Sequence, residues 1–124
     1  MTLISVTLPI RTVSEANVKE HWGRTARRVS RQRRDMFMGL YNYRDRLRGQ
    51  WAWTVTLTRI APRFLDEHDN LPRSMKACVD EVAKALGVDD KSKRVHWAYS
   101  QEKGKPKEYA VRVRVEIEEV RNGF

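Results

Sequence analysis

The sequence predicts an α/β (α+β) fold, a mixed β-sheet flanked by two helices in the order β-α-β-α-β-β, within a single domain over residues 1–124. Three observations predict it. Stretches of period-two alternation at both ends and in the middle of the chain read as strands. Two segments with apolar residues spaced by three and four read as amphipathic helices between them. A length of 124 residues buries one core but is too short for two independent ones.

The elements follow in order. Thr2 to Pro9 sets Leu3, Ser5 and Thr7 on one side and Ile4, Val6 and Leu8 on the other, with Pro9 as terminator. Asn17 followed by Glu20 has the form of an N-cap with a capping box, so a long helix starts there. Its apolar stripe runs Trp22, Ala26, Val29, Met36, Leu40, Tyr43 and Leu47, and only Arg33 interrupts the phase. On another face Arg24, Arg27, Arg28, Arg31 and Arg34 share that spacing and form a ridge of guanidinium groups. Such like charges repel one another, and a phosphate backbone is their natural neutraliser.

Gln50 to Ala61 is rich in Trp, Thr and Val, with Trp51, Trp53, Val55 and Leu57 alternating toward Pro62. An acidic loop follows from Leu65 to Leu71. Asn70 is placed to cap a second helix with Pro72 in its first turn, and Met75, Val79, Val82 and Leu86 form its buried stripe before Gly87 ends it. A turn through Asp89 and Asp90 leads to a strand from Arg94 to Ser100. Gln101 to Lys107, with Gly104 and Pro106, reads as a hairpin loop into a final strand in which Val111, Val113, Val115 and Ile117 alternate with charged residues. No internal repeat or low-complexity tract interrupts this order.

Composition narrows the partner. Lys and Arg total 25 against 16 Asp and Glu, a formal charge of +9, which suits nucleic acid or an anionic membrane surface. Most of the excess is Arg, whose planar fork matches phosphate oxygens bidentately, so the bias favours phosphodiester contact. The single cysteine, Cys78, excludes an intramolecular disulfide and reads as a small core residue. Met1 to Ile10 lack the features of a signal peptide and no apolar run reaches spanning length, so the expectation is a cytoplasmic protein with no membrane partner. There is no Cys or His pattern for zinc, no glycine-rich phosphate loop and no Ser-His-Asp arrangement, and no small-molecule organic cofactor is expected.

The informative feature is where the acids sit in so basic a chain. Asp66, Glu67 and Asp69 precede the second helix, and Asp89 and Asp90 follow it. As plain helix ends the two clusters would lie roughly 25 Å apart at 1.5 Å per residue. The gap closes if a partner subunit supplies one cluster, or if the chain folds back after Gly87. Clustered carboxylates repel unless solvated or bound to a cation, and Mg²⁺ suits such oxygen donors, with Mn²⁺ as a substitute. It can orient an attacking water and stabilise charge on phosphorus. The plainer reading is that the acids complement a helix dipole and build a turn. His68, between acids, reads as a solvated neighbour, while His21 and His96, beside Trp22 and Trp97, read as structural packing.

Asp69-Asn70-Leu71, then Lys76 with Asp80 on a helix, Leu86-Gly87, Asp89-Asp90 and a following strand resemble the RusA family of Holliday junction resolvases, typically prophage-encoded. The similarity spans roughly Leu65 to Ile117. It implies a homodimeric, magnesium-dependent endonuclease with a mixed sheet and flanking helices, resolving four-way junctions in DNA recombination and repair by paired nicks. In the family's Asp-x-Asp-Asn motif the second acid falls on Asp69 and the asparagine on Asn70; the first falls on Glu67, with Asp66 as the substitute. The acid of the later pair falls on Asp90, next to Asp89. The motif lysine falls on Arg73 counted from the asparagine, or on Lys76 counted back from Asp80.

The resulting expectation has Asp66, Glu67, Asp69, Asp89 and Asp90 as metal-site acids, and Asp69, Asp90, Glu67 and Lys76 as catalytic. Arg24, Arg27, Arg28, Arg31, Arg34, Arg73 and Lys76 hold branched DNA. A homodimer fits because paired nicks need two sites, which two-fold symmetry supplies. The alternatives are a non-catalytic basic DNA- or RNA-binding protein on the same fold, and a basic assembly factor contacting protein and RNA together.

Overall fold

β2 (Trp53–Ala61) organises the sheet, because it is the strand with the longest buried run. It lies between β4 (Ala110–Ile117), antiparallel to it, and β3 (Val95–Lys103), parallel to it, while β1 (Thr2–Leu8) completes the order β1-β4-β2-β3 on the far side of β4. The computed structural model describes residues 1–14 and 22–118. The mixed α+β fold expected from the pattern is therefore present, with one correction. The pattern predicts a hairpin of β3 and β4, but β2 inserts between them. The apolar β2, with Trp53, Val55 and Leu57 all fully buried, gains neighbours on both edges only in that central place.

Alternation decides the faces. Ile4 in β1, Trp53, Val55 and Leu57 in β2, Val95 in β3, and Val111, Val113 and Val115 in β4 all belong to one core cluster. Their neighbours in sequence, such as Ser5, Thr7, His96 and Arg114, are turned away from it.

α1 (Trp22–Leu40) is the long helix, but it departs from expectation at both ends. The capping box at Asn17 and Glu20 lies outside the described residues, as does His21. Trp22 is 78% exposed and Ala26 is exposed too, so the apolar stripe does not meet the core in the first turns. Burial starts at Gln32 and continues through Met36 and Leu40. At the other end the apolar spacing predicts one helix as far as Leu47. Instead a 3₁₀ turn at Tyr41–Tyr43 separates α1 from α2 (Arg44–Arg48), and this tighter turn shifts the phase. Leu47 is fully buried, and its carbonyl accepts a 2.8 Å hydrogen bond from Trp53 Nε1.

The second helix is likewise two pieces, α3 (Asn70–Ser74) and α4 (Lys76–Leu86). Met75, at φ −98° and ψ 2°, breaks the α-helical run between them. The N-cap position of α3 is Asp69 rather than Asn70, and its side chain makes no capping bond. α4 packs against α1 and buries most of its residues, among them Cys78, Val79, Val82 and Leu86. Gly87 ends it at φ 80°, where a side chain would be strained. Arg48 of α2 donates from Nε to the Ala85 carbonyl at 3.2 Å and from Nη2 to that of Lys84 at 2.9 Å. Both bonds place a guanidinium at the negative end of α4, adding to the bond that the Lys84 carbonyl already accepts from the Gly87 amide. Among the described residues no helix is long and apolar enough to cross a membrane.

Candidate active site

The acidic loop is pinned where β2 and β3 end. The Leu65 amide donates to Gln101 Oε1 at 2.7 Å and Gln101 Nε2 donates back to the Leu65 carbonyl at 2.8 Å. Asp66 Oδ1 accepts from the His68 amide at 2.9 Å, and the Asp66 carbonyl accepts from the Leu71 amide at 2.8 Å. Asp66 thus shapes the loop as an Asx turn. Glu67 and His68 are exposed, and Asp69 faces Arg73 at 3.6 Å across one helical turn.

The other acids converge on Lys76. Its Nζ lies 3.0 Å from Asp80 Oδ1 one turn along α4, and 2.8 Å from Asp90 Oδ2 beyond the end of that helix. The fold-back after Gly87 makes this possible. Gly87 turns the chain with a left-handed backbone, and the Val88 amide donates to the Ala83 carbonyl at 3.0 Å, so the segment that follows runs back beside α4 to Asp90. Trp97 Nε1 of β3 then fixes the turn by donating to the Asp90 carbonyl at 3.1 Å. Asp89 Oδ1 accepts from the Lys91 amide at 2.8 Å. From the other side Arg33 of α1 reaches Asp80 at 3.0 Å.

The charges tune one another. Hydrogen bonds to Asp90 first, and then to Asp80, hold the Lys76 ammonium above its usual pKa. Asp90 is held below the ordinary carboxylate range, chiefly by its hydrogen bond with Lys76 and then by one with Asp89. Lys76 and Asp90 therefore stay ionised at neutral pH. With Lys76 63% exposed, solvent screens its pairs and they add little to stability.

Two grooves adjoin the cluster. One of about 470 Å³ runs between α1 and α3–α4 and presents Arg33, Arg73 and Lys76. The second, about 600 Å³, lies between residues 9–13 and α1 and is lined by Arg24, Arg27, Arg28 and Arg31. Gln32 lines both, and it is held in place by a 2.7 Å bond from its Nε2 to the Arg11 carbonyl. Arg34 stands apart from both grooves, beside Asp35 at 3.3 Å.

The structure thus joins Asp90 with Lys76, and gathers Arg24, Arg27, Arg28 and Arg31 of the ridge along one groove. It does not bring Asp66, Glu67 and Asp69 together with Asp90: among the described residues no three His, Cys, Asp or Glu side chains form a metal-sized group. His96, expected to pack, is exposed. Asp80 and Arg33 belong to the cluster although neither is among the expected site residues. The signals are present in the sequence, in the i,i+4 spacing of Lys76 and Asp80 and in Arg33 breaking an apolar stripe. No protein-family model matches this chain, and no curated protein matches it significantly.

Proposed function

We propose that this chain is a divalent-metal-dependent endonuclease acting on branched DNA as a homodimer, as its resemblance to the RusA resolvases implies. The observation that carries the reading is the Lys76 cluster. Acids from two separate stretches of chain meet one lysine at the mouth of a groove that carries two further cations. A carboxylate centre beside a cationic track is the arrangement phosphodiester cleavage needs, since the track holds the polyanion while the acids act on it.

Asp69, Asp90 and Glu67 or Asp66 would hold the ion, with Asp89 beside them; because one chain leaves the two acid clusters apart, a partner subunit would have to supply one of them. These are hard oxygen donors of the kind Mg²⁺ and Mn²⁺ take, and Mg²⁺ commonly uses one or two carboxylates with water and phosphate oxygens completing its shell. Bound there, the ion would activate a water and stabilise charge on phosphorus. Lys76, beside Asp80 and Asp90, or Arg73, beside Asp69, would contact the scissile phosphate. The ridge arginines would grip the flanking backbone.

One observation favours a second reading, a nucleic-acid-binding protein without cleavage. Asp66 is committed to its own loop, Asp69 to Arg73 and Asp90 to Lys76. A nicking assay on a labelled four-way junction against linear duplex, with Mg²⁺ and with chelator, separates the two. The nuclease reading expects metal-dependent, junction-selective nicks that Asp69→Asn and Asp90→Asn each abolish while junction binding persists. Tight binding with no cleavage under Mg²⁺ or Mn²⁺ would replace it with the binding-protein reading.

A further inference from the structure

We infer that Arg11, Arg59 and Arg63 form a phosphate-binding pocket, separate from the Lys76 cluster, that takes a backbone phosphodiester of nucleic acid lying along α1. Arg59 is the anchor. It points from β2 into the core boundary, is only 6% exposed, and has no ion pair among the described residues. A cation so buried without a counter-charge is costly, and a fold keeps one readily when an anion arrives to compensate it. The guanidinium is not loose: Nε donates to Thr12 Oγ1 at 3.0 Å, Nη2 to the Thr12 carbonyl at 3.3 Å and Nη1 to the Arg63 carbonyl at 2.6 Å. Of the five N–H donors of a guanidinium, these leave two for a ligand. Burial depresses its pKa, and neighbouring Arg11 adds to that fall while Tyr109 opposes it.

Around Arg59 the chain leaves a cavity of about 220 Å³ lined by Arg11, Arg63, Thr12, Ser14 and Tyr109. Water occupies about 30 Å³, so a phosphate group of five heavy atoms fits. The Ser14 hydroxyl oxygen is buried without a hydrogen-bond partner among the described residues, a second unspent polar group on the same cavity. Arg11 lies over the Tyr109 ring at 4.2 Å, which orients its guanidinium without neutralising it. Three arginines and a buried hydroxyl, with no acid among the described residues of the lining, suit a tetrahedral oxyanion.

Continuity identifies the occupant. Arg11 and Val13 line both this cavity and the groove of the α1 ridge, so a backbone held by Arg24 to Arg31 passes the pocket mouth. The inference rests on the reading that the chain binds nucleic acid but not on cleavage, and its test is run in chelator. Inorganic phosphate is titrated calorimetrically into the full chain at constant ionic strength, followed by competition from a linear duplex with and without a 5′-phosphate. One saturable site is expected, at least tenfold weaker in the Arg11→Ala/Arg63→Ala variant and unchanged in Lys93→Ala, an exposed cation that lines neither the ridge groove nor the pocket. Both side chains removed from the pocket are exposed, so folding should persist. Both duplexes should displace phosphate equally. Equal phosphate affinity in native chain and pocket variant would overturn the site. Displacement only by the 5′-phosphorylated duplex would overturn the backbone occupant in favour of a strand end, and displacement by neither would leave a site for free phosphate alone. A chain that binds no duplex at all fails the nucleic-acid reading itself, whatever phosphate does.

Discussion

The two principal helices pack against each other yet serve opposite ends. α4 buries most of its eleven residues, and α1 buries three of nineteen, Gln32, Met36 and Leu40. α4 is therefore fastened by the core, and its outward positions Lys76 and Asp80 stand on a rigid support. α1 is a rail fastened at its C-terminal half, whose N-terminal half displays a run of cations along an open groove. The difference teaches where chemistry and where grip belong: placed acids need a packed helix, whereas backbone contacts tolerate an exposed one.

The sharpest way to break that comparison is to put the same charge on both helices. Val82→Asp on α4 buries a carboxylate with no partner, which costs several kcal/mol against a total stability of about 5–15 kcal/mol. Loss of the cooperative thermal transition is expected. Ser30→Asp, on an exposed face of α1, should shift stability by no more than about 0.5 kcal/mol. Comparable destabilisation by the two would mean that α1 is packed as α4 is.

A smaller effect tests the rail. Replacing Arg24, Arg27 and Arg31 together by Ala should leave urea unfolding nearly unchanged. Duplex binding should weaken for every sequence, and the slope of log affinity against log salt should flatten by about 3, roughly one for each phosphate that no longer meets a guanidinium. An unaltered slope would make the ridge an ordinary solvated face.

The smallest expected signal comes from Cys78, whose thiol is fully buried on α4 and pushed up to about 12 by burial, with Arg33 opposing. A thiol at that value is protonated at neutral pH and unreactive. A colourimetric thiol reagent should therefore label it only as fast as the chain unfolds. Rapid labelling of native protein would show that the α1–α4 seam opens locally.

Much of the fold is legible in the sequence because alternation is a local property. The strands around Ile4, Val55 and Val113 can be read directly, since each residue's neighbours two positions away share its face. The break at Tyr41–Tyr43 cannot, because nothing in that tripeptide forbids a helix. The site is legible only in part. Asp90 and Lys76 carry the right chemistry in the sequence, but their contact depends on a reversal at Gly87 and on Trp97 in another strand. Arg59 shares the inward phase of Trp53, Val55 and Leu57, but periodicity gives only its face and not which carbonyls and hydroxyl would receive its guanidinium.

By itself the sequence determined the fold class, the strand and helix segments, the basic excess and the ridge along α1, all of which follow from composition and short-range periodicity. Tertiary structure alone decided that β2 would part β3 from β4, that Asp90 and Arg33 would join Lys76 and Asp80 in one cluster, and that Arg59 would be buried with no acid among the described residues of its cavity. The physical reason is range. Periodicity fixes which face a residue takes on its own element, whereas pairing partners and buried charges are settled by which elements exclude water together.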